Sequence, residues 1–357
     1  MAAVLRWSAV PTLAEAAAKR SDNFLLLRFL AAALVIYGHG PAIAGGESAK
    51  DLFIRLGWGS YSGDIAVDLF FVISGFLVTG SFLRLRRVVP FLSSRALRIL
   101  PAYAVCLIAC AFVLGPAVTV LPLSDYFANR APFYYVSINL HFVPDMAYVL
   151  PGVFLDNPQT SAVNGSIWTL PVEVRMYAVA AVLGACGILG RRALANALLV
   201  SSLLLPPAAF TWAGVTPRLA LLFAAGMLCW INRDWIRVHW LLFAALALVA
   251  FLCRDTMIYP FAFGLAEVAF VFCFAYAVPW YAFNRFGDYS YGLYLWGYPM
   301  QQLVAHWAPA LPSWQNAVGG FVLALAIAIA SWHAVEEPSL RLKKLFRARA
   351  DAPTNRD

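Results

Sequence analysis

Long runs of apolar residues fill most of this 357-residue chain and restrict its fold more than any other feature. A helix needs about 20 mainly apolar residues to cross the hydrocarbon core of a bilayer. Such runs lie at 24–44, 65–83, 99–121, 168–189, 194–212, 216–232, 238–254, 257–281, 288–307 and 315–336. The expected fold class is therefore all-α, a polytopic membrane helix bundle of about ten transmembrane helices. Counts of nine or eleven are the alternatives, because the fifth and sixth runs are barely separated.

The composition argues against a water-soluble fold, because 62% of the residues are hydrophobic and only 12% are charged, whereas soluble domains carry about a quarter charged residues. The first twenty residues contain Glu15 and lack an unbroken apolar core, so no cleaved signal peptide is expected. The six cysteines lie in or beside the predicted spans without a Cys-x-x-Cys pair. We expect neither a metal site nor a bound cofactor.

The positive charges follow the pattern of membrane topology. In a ten-span topology one side carries Lys19, Arg20, the arginines of 84–95, Arg191, Arg192, Arg233, Arg237, Arg285 and the basic residues of 341–349. Lysine and arginine mark the cytoplasmic side, so both termini are expected in the cytoplasm. Topology also explains the net charge of +8, and nucleic acid is not an expected partner.

A few ionisable residues lie inside the predicted spans, where they are costly and therefore functional candidates. Arg28 and His39 are eleven residues apart in the first span, which places them on one helix face about 16 Å apart along the axis. Asp68 lies near the outer end of the second span, and Glu173 enters the fourth from outside. His39, Asp68 and Glu173 are thus predicted at similar depth.

An imidazole beside a carboxylate suits removal of a proton from an attacking hydroxyl. His39 is therefore the predicted general base, oriented by Asp68 or Glu173. The alternative is that these polar groups only lock helices together. At the cytoplasmic side, Arg95 and Arg98 are one helical turn apart at a predicted helix start and could hold donor phosphates. Ordinary positive-inside anchoring is the alternative for this pair.

Six segments in this order resemble motifs of the acyltransferase-3 family of membrane O-acyltransferases. They are Arg28 with His39, Val67–Leu77, Arg95–Pro101, Asn164–Leu170 with Glu173 and Tyr177, Gly287–Trp296, and Glu336 with Pro338. The resemblance covers about 24–345. Gly297 departs from the family pattern, since many members carry a histidine there. This leaves His39 as the main histidine candidate.

The resemblance implies transfer of an acyl group, with acetyl expected, from cytoplasmic acetyl-CoA or another acyl-CoA to a hydroxyl of a cell-surface carbohydrate or a glycosylated small molecule. Arg28, Arg95 and Arg98 would receive the donor, and Tyr177, Ser290, Tyr291 and Trp168 would line the pocket. For Tyr177, Ser290 and Tyr291 the alternative is packing or hydrogen bonding between helices. The implied location is the bacterial inner membrane, so the lipid bilayer is an expected partner.

The expected organisation is a cytoplasmic segment over 1–23, the acyltransferase-3-like transmembrane domain over 24–340 and a basic cytoplasmic tail over 341–357. The competing interpretation is a polytopic transporter or flippase that uses the buried histidine and carboxylates as a proton relay. No inverted repeat supports that interpretation.

Overall fold

A computed structural model of the chain describes residues 10–19, 21–45, 51–212 and 214–343. The described residues are mostly α-helical, and their only bridges are Thr12 with Arg237 and Thr119 with Val153. Much of the predicted 1–23 segment and the tail from Lys344 onward, including Arg347 and Arg349, lie outside the described residues.

The α-helices are numbered in chain order. They are α1 (Leu13–Ala18), α2 (Phe24–Ala44), α3 (Leu52–Arg55), α4 (Ser62–Leu85), α5 (Val88–Ala109), α6 (Gly115–Val118), α7 (Leu123–Ala128), α8 (Ala131–Leu140), α9 (Thr169–Ala185), α10 (Arg192–Ser201), α11 (Pro207–Trp212), α12 (Pro217–Ile231), α13 (Trp240–Leu252), α14 (Tyr259–Ala277), α15 (Ser290–Trp307), α16 (Ser313–Ser331) and α17 (Glu337–Arg341). Short π turns at Cys110–Leu114 and Trp332–Glu336 extend α5 and α16, and a 3-10 turn at Gly165–Trp168 leads into α9.

Six described helical segments are long and apolar enough to cross a membrane. They are Phe24–Ala44, Ser62–Leu85, Val88–Val118, Gly165–Ala185, Tyr259–Ala277 and Ser313–Arg341. Each coincides with one of the ten predicted spans. Arg95 and Arg98 differ from expectation in position, because α5 already begins at Val88 and both arginines lie well inside it.

The other four predicted spans correspond to helices that are shorter or more polar. The run 194–212 is divided into α10 and α11, because Pro206 and Pro207 interrupt the helix. The apolar helices α12 and α13 have 15 and 13 residues, which is short of the length that spans a bilayer. α15 has 18 residues but carries Gln301, Gln302 and several tyrosines.

The chain divides into two compact units. The first contains Met1–Ala31, Leu52–Arg84 and Val182–Phe286, and the second contains Ala32–Asp51, Leu85–Ala181 and Gly287–Asp357.

In the first unit, α4 and α12 cross at two glycines. A Cβ atom on Gly75 would lie 2.0 Å from the carbonyl oxygen of Phe223, and one on Gly226 would lie 2.2 Å from that of Val72. Only glycine allows this backbone approach, which is the usual way that small residues bring membrane helices together.

In the second unit, the polar helix α15 packs against α2 and α16. The side chain of Gln301 donates a hydrogen bond to the carbonyl of Ile36 at 2.9 Å, and Asn316 donates to the backbone carbonyl of Gln301, also at 2.9 Å. These polar contacts join three helices. A Cβ atom on Gly297 would lie 2.5 Å from Cγ1 of Ile36. Ile36 therefore occupies the space that a histidine at position 297 would need.

Candidate active site

His39 lies on α2 in the second unit and meets the ring of Tyr298 on α15. The two rings are 5.0 Å apart between centroids, at an interplanar angle of 75°. His39 Nδ1 is buried, and no hydrogen-bond partner for it lies among the described residues. A buried polar atom without a partner is uncommon in a folded protein, so this imidazole is a candidate for contact with a substrate.

Tyr298 also contacts the turn that begins the predicted fourth span. A Cβ atom on Gly165 would lie 2.6 Å from the Tyr298 ring. The neighbouring Asn164 donates to the carbonyl of Leu295 at 2.9 Å, and the Tyr294 hydroxyl donates to the carbonyl of Ser166. These contacts hold the turn Gly165–Trp168 against α15, next to Tyr298, which contacts His39. Trp168 is half-buried at the end of this turn.

Arg98 forms the centre of a second group of polar residues on this unit. Its guanidinium is 2.6 Å from Asp288 Oδ2 and 3.7 Å from Glu336 Oε2. It also lies over the Tyr291 ring, 5.6 Å from the ring centroid. Ser290 donates to the other oxygen of Asp288 at 2.5 Å. Asp288 and Glu336 were part of the motifs in the sequence but were not predicted as site residues.

Glu173 belongs to the same region. The Tyr177 hydroxyl donates a hydrogen bond to Glu173 Oε1, and the Arg95 guanidinium lies 5.9 Å from the centre of the Tyr177 ring. Arg95 lies one helical turn before Arg98 on α5, so Tyr177 and Glu173 are near the residues around Arg98. The structure thus brings Arg95, Arg98, Glu173, Tyr177, Ser290 and Tyr291 together around the first turn of α15.

His39 and the arginine group lie at different heights on α15. His39 packs against Tyr298, and Arg98 packs against Tyr291, seven residues earlier. Seven residues of α-helix rise about 10 Å. Glu173 therefore lies with the arginine group, about two helical turns from the contact of His39. The sequence predicted similar depths for His39 and Glu173, but the residues of α15 near them, Tyr298 and Tyr291, are seven positions apart.

Asp68 lies in the first unit and makes an ion pair. Arg218 Nε, at the start of α12, is 3.3 Å from Asp68 Oδ1, and Arg218 Nη2 is 2.7 Å from Asp64 Oδ1. Glu267, in the middle of α14, is only 6% exposed, and its charge acts on Asp68 and Arg218. We call Asp64, Asp68, Arg218 and Glu267 the acidic cluster.

Two members of the acidic cluster, Arg218 and Glu267, were not predicted from the sequence. Glu267 lies inside the predicted span 257–281, and the rule that a charge inside a span marks a functional candidate would have identified it. Arg218 lies at the edge of the span 216–232, where an arginine resembles ordinary anchoring, so no comparable signal pointed to it.

Arg28 lies on the first-unit part of α2, and α2 continues without a break to His39. Asp22, which precedes α2, accepts a hydrogen bond from the Phe24 N–H at 3.2 Å. Burial raises the pKa of the Asp22 carboxyl, while this hydrogen bond and the charge of Arg28 oppose the shift. Arg28 is the fifth residue of α2, so Arg28 and His39 lie on one unbroken helix.

Comparison with known proteins agrees with the motifs. Residues 22–333 match a family described as acyltransferase domain. The chain is 27% identical to a protein named O-acetyl transferase from Shigella phage Sf6, over 89% of this chain and 96% of that protein. It is 26% identical to Nodulation protein 10 from Rhizobium leguminosarum bv. viciae, over 92% of this chain and 95% of that protein. No solved structure matches the chain.

Proposed function

We propose that this protein acetylates a carbohydrate hydroxyl. The chain belongs to the acyltransferase family that it matches over residues 22–333. The protein is a multi-pass membrane enzyme that transfers acyl groups. We further propose that the donor is acetyl-CoA or another acyl-CoA and that the acceptor is a cell-surface carbohydrate or a glycosylated small molecule. The name O-acetyl transferase of the phage relative supports the acetyl group.

The observation that carries the proposal is the arrangement along α15. A group of arginines lies at one end of this helix, and an imidazole with a buried, unpartnered nitrogen lies about two turns further along it. Guanidinium groups bind phosphates, and an imidazole removes protons. The donor and the base thus have separate places on one element.

The chemistry at His39 can be written as one balanced step. The acceptor oxygen attacks the thioester carbonyl carbon, and His39 takes the hydroxyl proton as the new C–O bond forms. The C–S bond then breaks, and the leaving thiolate takes the proton back from the imidazolium. Covalent transfer through His39 is the less favoured route. Asp68 or Glu173 was expected to orient the imidazole. Because Glu173 accepts a hydrogen bond from Tyr177 and Asp68 pairs with Arg218, we instead assign Glu173 to the donor side of the site and Asp68 to the acidic cluster.

The donor is proposed to bind through Arg28, Arg95 and Arg98, with Tyr177, Ser290, Tyr291 and Trp168 beside it. Arg98 already faces Asp288 and Glu336. Arg95, whose guanidinium lies over Tyr177, is therefore the better placed of the pair to meet a phosphate, and we assign Arg98 mainly to holding the site together.

For the topology, we propose ten transmembrane helices in a bacterial inner membrane, with both termini in the cytoplasm and one acyltransferase domain over 24–340. The shorter apolar helices Arg192–Leu204, Pro217–Ile231 and Trp240–Leu252, together with α15, would supply the four spans beyond the six long ones. Donor binding would then face the cytoplasm and His39 would lie in the outer half.

The test is label transfer by the wild-type protein in proteoliposomes. Acetyl-CoA carrying a radiolabelled acetyl group is supplied with an envelope glycan extract, and parallel reactions contain unlabelled propionyl-CoA or succinyl-CoA as competitors. We expect label in the glycan fraction, and the competitors show which acyl group the site accepts. Consumption of no acyl-CoA at all by the wild type would contradict the proposed donor.

A further inference from the structure

The acidic cluster of the first unit contains more carboxyl groups than guanidinium groups. The cluster contains three carboxyl groups, those of Asp64, Asp68 and Glu267, and one guanidinium, that of Arg218. Arg218 reaches Asp64 at 2.7 Å and Asp68 at 3.3 Å. Buried carboxyl groups are retained in a membrane protein only when something offsets their desolvation. Asp68 and Glu267 are the two buried carboxyl groups, and among the described residues Arg218 forms an ion pair with Asp68 but not with Glu267.

Glu267 shows what the cluster lacks. The residue is 6% exposed, and its Oε1 atom is buried with no hydrogen-bond partner among the described residues. A carboxylate oxygen accepts hydrogen bonds, so the group that completes the cluster must be a donor. No set of three or more histidine, cysteine, aspartate or glutamate side chains suited to a metal occurs in the part of the chain that the structure describes. An N–H or O–H group of a bound ligand would supply such a donor.

The exposed edge of the cluster favours a hydroxyl over an ammonium group. The side chains of Asp64 and Arg218 are 31% and 39% exposed, whereas that of Asp68 is 4% exposed. A ligand that arrives at this edge meets both an acceptor and a donor. A hydroxyl can donate to the carboxylate and accept from the guanidinium, while an ammonium group only donates and is repelled by Arg218.

Aromatic rings stand beside the cluster in the same unit. Phe263 lies one helical turn before Glu267 on α14, and its ring is 5.6 Å from that of Trp58. Tyr259 lies a further turn before, and its hydroxyl donates to the carbonyl of Trp58. Trp58 is half-buried between Gly57 and Gly59, whose φ angles of 78° and 67° are left-handed. Large rings beside a few placed polar groups are typical of ligand sites.

We infer that Asp64, Asp68, Arg218 and Glu267 form a binding site for carbohydrate hydroxyls, and that this site recognises the acceptor. The inference deepens the proposed function and rests on it for the identity of the carbohydrate. It assigns Glu267 and Arg218 to specificity and leaves the proton transfer to His39.

The experiment measures glycan binding and acyl transfer on the full chain in nanodiscs. The binding probe is the fluorescently labelled envelope glycan extract, and the variants are Glu267→Gln and Asp64→Asn. The matched control is Asp234→Asn, since Asp234 also pairs with an arginine, Arg192 at 2.6 Å, but at an exposed position outside the cluster. If Glu267→Gln does not fold, Asp64→Asn still tests the role of the acidic cluster.

We expect both cluster variants to weaken glycan binding about tenfold or more, the loss expected for one hydrogen bond to a charged group. They should raise the KM for glycan much more than the KM for acetyl-CoA, while the control variant changes neither. Equal effects on both KM values, or none, would overturn the inference, as would a wild type that binds no glycan. A wild type that binds glycan at the cluster but transfers no acyl group would refute the proposed function and leave the inference standing.

Discussion

Arg95 and Arg98 are three residues apart on α5 and meet different partners. Arg98 is held between Asp288 and Glu336, and its side chain is 16% exposed. Arg95 lies over the ring of Tyr177. In the sequence the two arginines form an equivalent pair, and only the three-dimensional contacts separate them.

Arg98→Ala should lower the stability of the protein. The change removes the guanidinium that pairs with Asp288 and with Glu336, which is 2% exposed. Removing one partner of a buried ion pair costs about 3 to 5 kcal/mol. Thermal unfolding in detergent, followed by intrinsic fluorescence, checks this, and we expect a clearly lower Tm.

Arg95→Ala should instead weaken binding of the donor. We expect an increased KM for acetyl-CoA and a Tm close to that of the wild type, because few described contacts depend on Arg95. Arg95→Lys is the matched variant that retains the charge. If Arg95→Ala lowers the Tm as much as Arg98→Ala does, the two arginines share a structural role and the assignment is wrong.

At the residue scale, the sequence could predict which side chains are costly in a membrane and not which of them meet. The periodicity of an α-helix places Arg28 and His39 on one helix, and the structure shows that helix unbroken from Phe24 to Ala44. The contact of His39 with Tyr298 and of Arg98 with Glu336 depends on residues far apart in the chain, for which no local pattern exists.

At the scale of elements, the close crossing of α4 and α12 contributes to the stability of the first unit. Gly226→Ala should destabilise the protein, because the added Cβ would lie 2.2 Å from the carbonyl of Val72 and 2.9 Å from the amide of Phe76. Backbone atoms cannot move aside cheaply, and overpacking costs about 1 to 3 kcal/mol or more. The measurement is the Tm of the purified variant and its yield of folded protein.

Gly264→Ala on α14 is the control for this substitution. Its Cβ would meet only Cδ2 of Leu222, at 3.4 Å, which is an ordinary contact. Alanine is favoured over glycine inside a helix by up to about 1 kcal/mol, so the Tm should be unchanged or slightly higher. Equal losses in both variants would show that the crossing has no special role.

Hydropathy could predict the elements well where they are long and apolar, and poorly elsewhere. The six long spans agree with the described helices because length and apolarity are local properties. The run 194–212 was expected as one helix, yet it ends as α10 and resumes as α11 across two prolines. α15 is polar because Gln301 and Gln302 satisfy backbone carbonyls of other segments, which no sequence window can show.

At the scale of the whole molecule, the proposed orientation predicts which loops face outward. Asp145 lies in the segment between α8 and α9, expected outside, and Asp234 follows α12, expected in the cytoplasm. Both residues are exposed. Introduced singly, Asp145→Cys should react with a membrane-impermeant maleimide in intact cells, and Asp234→Cys should react only after lysis. The opposite labelling would reverse the orientation of the enzyme, and labelling of both in intact cells would refute the count of spans between them.

The division into two units was not predicted from the sequence, because the chain passes between the units several times and no linker of distinct composition marks a boundary. The predicted catalytic and donor-binding residues are divided accordingly. His39 and Glu173 lie in the second unit, and Asp68 and Arg28 lie in the first.

The central claim is that His39 removes the proton from the acceptor hydroxyl. The most direct measurement compares the wild type, His39→Ala and His333→Ala for transfer of labelled acetyl groups to envelope glycan in proteoliposomes. His333 is a histidine of the same unit whose side chain is 60% exposed. We expect His39→Ala to lose about 100-fold or more of the transfer rate, as for removal of a general base, at an unchanged KM for acetyl-CoA. His333→Ala should behave as wild type. A His39→Ala enzyme that acetylates glycan at the wild-type rate would contradict it.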